Sequence, residues 1–177
     1  WCSLQALNDT KRDPDVVRRE KIRAMVHLKS VEPLYRDQLE NGRYFMHGHP
    51  GWATSWATSP IAGLVKDDLV TRVRADQCMY GAKAQFGSLL GGQILKPTGF
   101  MSDGNELLGS IMKRCSRKHD HAVCSGRIAR DAARYLAGLC RAIIGGMMSQ
   151  MKDDGELLPG CVGLQPIFEI NVVDGPK

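Results

Sequence analysis

Three groups of residues in this 177-residue chain have the types and spacing to do chemistry. The first is Cys115-x3-His119-x-His121, one soft sulfur and two imidazoles within a short stretch; Cys124 or Cys140 as a fourth donor would complete a tetrahedral zinc site. The surrounding Lys and Arg charges oppose a dication unless thiolates neutralise it, and the competing reading is a solvated turn beside buried cysteines. The second is Arg43-Tyr44-Phe45-Met46-His47-Gly48-His49-Pro50, which reads as a strand delivering His47 and His49 at its C-terminal end, where open α/β sheets hold ligands. The alternative for both histidines is an ordinary loop position, because neither has a Ser or Cys partner by spacing.

The third group is basic. Between Lys113 and Arg134 stand Lys113, Arg114, Arg117, Lys118, Arg127, Arg130 and Arg134 against Asp120 and Asp131. This surplus of five equals the net charge of the whole chain, +5 at pH 7. Such a window contacts phosphates by displacing condensed counterions, with salt-dependent and sequence-independent affinity; otherwise it is a solvated face. The chain shows no interleaved aromatics of the kind a stacking platform needs, so contact to a duplex backbone is expected rather than single-strand stacking. Gly87 to Gly92 is rejected as a phosphate loop because it lacks the G-x-G-x-x-G spacing between a strand and a helix. The eight methionines are expected as core filler.

The elements that must position these groups are legible in outline. Asp13-Pro14 caps a long helix, bent near Pro33 and leaving through Asn41-Gly42. A strand at 43–47 follows, then a Trp-containing loop (Trp52, Trp56), a brief helix from Ser59-Pro60 and a second strand at 69–75, in β-α-β order. Residues 93–101 are expected as a hairpin or edge strand interrupted by Pro97, and Asn105 to Met112 as a short helix. The basic window is expected as loop, and Ala132 to Met151 as the last helix, weakened near Gly145-Gly146. The chain divides into one domain over 1–151 and a proline-punctuated tail or linker over 152–177, with one strand-like run at Phe168 to Val173.

Composition narrows the classes. Hydrophobic residues make up 43% and charged residues 24%, the balance of a globular domain rather than a disordered or collagenous chain. The most apolar stretch, Leu136 to Met148, is broken by Arg141 and is too short to span a bilayer, so no membrane association is expected. Six scattered cysteines suit reduced thiols, and the expected setting is intracellular, nuclear or cytoplasmic.

The order of pieces W-C-S-L-Q-A-L-N, G-R-Y-F-M-H-G-H-P, D-Q-C-M-Y-G, K-P-T-G-F-M-S, K-R-C-x3-H-x-H, G-R-x-A and L-C-R-A-I resembles a domain of retrotransposon-type polyproteins that is similar to the second half of a cytosine-C5 DNA methyltransferase. The resemblance covers about residues 1–148. It implies the C-terminal part of a Rossmann-like methyltransferase sheet, an α/β fold with a loop-rich basic C-terminal region. By the same resemblance, the attacking Pro-Pro-Cys turn and the S-adenosylmethionine loop belong to an upstream part of the polyprotein, so the chain is expected to hold no catalytic residue and to meet S-adenosylmethionine only together with that part, zinc being the one cofactor open to it alone. The family's base-holding glutamate, in H-E-H-P, is replaced by Gly48, which leaves His47 and His49 as base-pocket candidates. The resemblance puts Tyr80-Gly81 and Lys96-Pro97-Thr98 in the segment that carries basic groups toward DNA, and Cys115, His119, His121 and Cys140 at cysteine and histidine positions. At Arg134-Tyr135-Leu136-Ala137-Gly138 the family's Y-P-P is absent, so the last helix is expected to begin early. The expectation is a degenerate, inactive methyltransferase-like module of a retroelement polyprotein that still touches DNA; the alternative is a non-enzymatic nucleic-acid-binding module with a zinc-stabilised basic loop.

Overall fold

The computed structural model describes residues 8–156. The strand-like run at 168–173, Cys2, Cys161 and all but the first residues of the expected tail lie outside them. Helix α1, Pro14–Glu40, starts as its sequence dictates: the Asp13 carboxylate accepts from the backbone N–H of Asp15 and Val16, and Pro14 occupies a first-turn position where its missing donor costs nothing. Pro33 lies inside this helix. The chain leaves through Asn41 and Gly42, the latter at φ 63°, a left-handed conformation that glycine adopts without strain.

Three strands follow: β1 (Met46–Pro50), β2 (Thr71–Asp76) and β3 (Pro97–Ser102). Their order is β1-β3-β2, and β3 is antiparallel to both neighbours. The expected edge strand is therefore the central one. Pro97 is compatible with this because it is the first residue of the strand, where a ladder donor is least missed. The strands also sit a few residues later than their sequence pattern suggests, so His47 and His49 lie in the body of β1 rather than at or past its C-terminal end. Strand β1 passes through helix α2 (Ser59–Val65) to β2, which runs in the same direction with β3 between them.

Helices cover both faces of this sheet, which makes the fold α/β. On one face Leu28 and Tyr35 of α1 and Ile61 and Leu64 of α2 pack with Phe45, Trp56, Val70 and Met101. On the other, α3 (Asn105–Ile111) and α5 (Ala137–Asp153) bring Leu108, Ile111 and Leu139 against Ala75, Tyr80 and Phe100. Covered on both sides, β3 is buried from Thr98 to Ser102. A third cluster, Ala82, Ala84, Ile94 and Ala122, lies beneath the loops, next to the short helix α4 (Gly126–Asp131).

Helix α5 begins at Ala137, five residues later than expected, since α4 and a turn take up residues 126–134. Its start is fixed by packing. A Cβ on Gly138 would stand 2.6 Å from the carbonyl oxygen of Tyr80, so only glycine lets the helix approach that backbone. The helix continues past Gly145-Gly146 to Asp153, and the Tyr44 hydroxyl donates to the Asp154 carboxylate at 2.8 Å, tying its end to the segment before β1.

Candidate metal centre and basic loop

Strand β2 ends in Asp76, which is fully buried, and the chain turns at once through a 3-10 turn, Gln77–Tyr80, closed by Gly81 at φ 87°. That turn places Cys78 in the interior. The segment leaving α3 returns alongside: the backbone N–H of Asp76 donates to the Lys113 carbonyl at 2.9 Å. One carboxylate oxygen of Asp76 accepts from both the Arg114 guanidinium and the Cys115 backbone N–H, each at 2.9 Å. The loop is thus moored at its base by a buried carboxylate, one oxygen of which takes two donors while the other, Oδ1, is buried and unpartnered.

Within this frame Cys78, Cys115, His119 and His121 converge, with one donor atom from each lying within 4.8 Å of the other three. Sγ of Cys115 is 3.5 Å from Nε2 of His119 and 3.5 Å from Nε2 of His121. Zinc bonds of about 2.3 Å to sulfur and about 2.0–2.1 Å to nitrogen imply sulfur–nitrogen edges of about 3.5 Å in a tetrahedron. The two edges at Cys115 match, and the remaining ones lie within 4.8 Å. Two thiolates and two neutral imidazoles would cancel the charge of a dication, which answers the objection that a basic loop repels one. The backbone N–H of Arg117 donates to Sγ of Cys115 at 3.2 Å, an outer contact that fixes the sulfur's direction. Burial, reinforced by the neighbouring Cys115, pushes the Cys78 thiol up to about 12, so a bound cation would have to displace its proton.

Three of the four expected ligands are therefore brought together, and the fourth is Cys78. Cys140 is in α5 and does not belong to the group. Among the described residues no cysteine is joined in a disulfide. The sequence signal for Cys78 was its place in D-Q-C-M-Y-G, directly after a strand, where a tight turn reverses the chain.

The expected nucleic-acid residues separate by environment. Thr98 is buried and its hydroxyl accepts from Gln77 at 2.9 Å. Lys96, half-buried, donates its ammonium to the Ala132 carbonyl, and burial lowers its pKa. Arg114 is paired with Asp76. Arg127 stacks over Phe86 at 3.9 Å, and Lys113 lies 5.4 Å from the Tyr80 ring. Arg117, Lys118 and Arg130 are exposed.

The two base-pocket candidates point into the first core. His47 is buried, with Nδ1 3.2 Å from the Tyr35 hydroxyl and its ring edge-on to Trp56 at 5.2 Å. Burial, then the nearby His49, lowers its pKa to about 4. His49 is also shifted down by burial. Gly48 alternates to the opposite face, where a Cβ would meet the Tyr135 hydroxyl at 2.5 Å and the Phe100 ring at 3.1 Å. The hydroxyl of Tyr135, in the segment 134–138 where the expected Y-P-P is absent, thus fills the space into which a side chain at 48 would project.

On that first face the sheet also assembles a set of residues the sequence did not group. Arg72 lies 3.9 Å over the ring of Trp56, and Arg74 lies 4.3 Å over the ring of Trp52. Aromatics and arginines are interleaved after all, between the loop following β1 and strand β2, and not in the basic window.

Set against protein-family models, curated proteins and solved structures, the chain matches none.

Proposed function

We propose that this chain is a non-catalytic nucleic-acid-contacting module in which a structural zinc ion holds a basic loop in shape. The observation that carries the reading is the convergence of Cys78, Cys115, His119 and His121, because the segment it would fasten, 113–121, carries Lys113, Arg117 and Lys118 toward solvent. A loop fastened at both ends loses less conformational freedom when it settles on a phosphate backbone. Zinc would supply no chemistry here beyond the fastening, since all four coordination positions are protein donors.

The descent of the fold from a Rossmann-like methyltransferase half is a second reading, favoured by one feature: β1 and β2 run in the same direction and are joined through α2. Under it the module belongs to a retroelement polyprotein and has given up methyl transfer, because Gly48 offers no group to hold or protonate a base and Tyr135 stands in its place.

Binding of a short DNA duplex, followed by anisotropy over a range of salt concentrations, tests the leading reading. The double variant Arg117→Gln/Lys118→Gln should flatten the log–log salt slope by about two, near 0.9 for each phosphate no longer neutralised. Arg114 is left in place because it neutralises Asp76 and its loss would disturb folding. A slope that does not change removes the loop from DNA binding.

A further inference from the structure

The geometry points to a second contact site, built from Trp52, Arg74, Trp56 and Arg72, that takes an unpaired base and its phosphate from single-stranded nucleic acid. It is independent of the metal-fastened loop. Alternation along β2 puts Arg72 and Arg74 on one face, in register with His47 and His49 of β1 across β3. Trp56 lies flat against that face because residue 99 is glycine: a Cβ there would stand 2.8 Å from the indole ring. Arg72 caps Trp56 and donates to the Gly51 carbonyl at 2.8 Å. These contacts build a rigid inner layer.

Trp52 forms the outer layer and is 64% exposed, a large apolar ring left in water while Trp56 on the same face is buried. Its partner Arg74 has a buried Nε with no hydrogen-bond partner. Neither Arg72 nor Arg74 is paired with a carboxylate among the described residues. Two like charges side by side, unpaired and stacked on indoles, call for an anion. A guanidinium lying on an indole keeps its N–H edge free for phosphate oxygens, while the open face of Trp52 offers a stacking surface that every base can use. A duplex cannot use that surface, since its bases are already stacked and paired.

The experiment is titration of the whole chain with a single-stranded oligothymidylate, read by quenching of tryptophan emission, beside a duplex of equal length. The single strand should quench and the duplex should not. Trp52→Ala should weaken single-strand binding about tenfold, the low end of one base–aromatic stack, and Trp52→Phe should keep most of it. Arg74→Lys, which keeps the charge and loses the plane, should weaken binding by a similar factor. Because Trp52 is largely exposed, its variants should melt at the parent temperature, so a loss is not a loss of fold. Absence of quenching, unaltered single-strand affinity in Trp52→Ala, or an equal effect on duplex would overturn the site. Quenching that survives together with a salt slope indifferent to Arg117 and Lys118 would sink the loop reading and leave this one standing.

Discussion

His47 shows how far burial can redirect a residue that sequence marks as reactive. In the strand pattern it stands next to His49 at a place where ligands gather, yet its ring is packed among Tyr35, Trp56 and His49, with Nε2 buried and unpartnered. A pKa lowered from 6.5 to about 4 makes it a stability group. Between those values the unfolded chain binds the extra proton, so stability rises with pH across the window and is lost as pH falls from 6.5 toward 4. The full difference corresponds to about 3 kcal/mol. Urea unfolding at pH 7 and at pH 4.5 should show wild type losing clearly more stability than His47→Gln, whereas equal losses would place the pH dependence elsewhere. At the metal centre the residue-scale test is the fourth ligand. Cys78→Ser should lower bound zinc well below one equivalent, and Cys140→Ser should leave it at one; the reverse pattern would restore the ligand set that spacing alone suggests. Spacing found three donors because they are local, and missed the fourth because 36 residues and a whole strand lie between Cys78 and Cys115.

Elements with local signals were legible. Asp13-Pro14, Asn41-Gly42 and Ser59-Pro60 mark helix ends through capping and fixed φ, which need no tertiary partner. The rank of β3 was not legible, since Pro97 reads as an edge signal and only the pairing with β1 on one side and β2 on the other shows the strand to be central. The Gly145-Gly146 pair is the sharpest case of local reasoning overruled. A Cβ on Gly145 meets nothing within 4 Å, but one on Gly146 would stand 2.1 Å from the Ser110 hydroxyl and 2.9 Å from Cα of Leu107, where α3 crosses α5. Gly145→Ala should therefore stabilise by about 0.5–1 kcal/mol through helix propensity. Gly146→Ala gains the same propensity but must push α3 away from α5, loosening the packing that buries Leu107 and Leu108, and should destabilise by about 1–3 kcal/mol. Thermal unfolding of the two variants decides it, and a Gly146→Ala protein as stable as Gly145→Ala would mean that the helices do not meet so closely.

At the scale of the molecule, β2 is the strand on which both candidate sites depend. Arg72 and Arg74 project from its body, and Asp76 at its end moors the loop that carries Cys115, His119 and His121. The two sites differ in what holds them. The tryptophan–arginine layer rests on the sheet and on Gly99, within a core that includes Ile61, Leu64 and Met101, all fully buried, and nothing in it requires a metal. The loop has few apolar anchors of its own: residues 112–121 contain no buried side chain, so in the absence of a cation its shape rests on Asp76 and a handful of polar contacts. Chelation should accordingly act locally. Hydrogen exchange should quicken in amides 113–121 while those of β3 stay protected, and the duplex salt slope should flatten toward that of the Arg117→Gln/Lys118→Gln protein. Emission quenching by single strands should persist, because Trp52 and Arg74 keep their seats. If chelation instead collapses protection across β3, the metal holds the whole fold, and the division of labour along β2 is wrong.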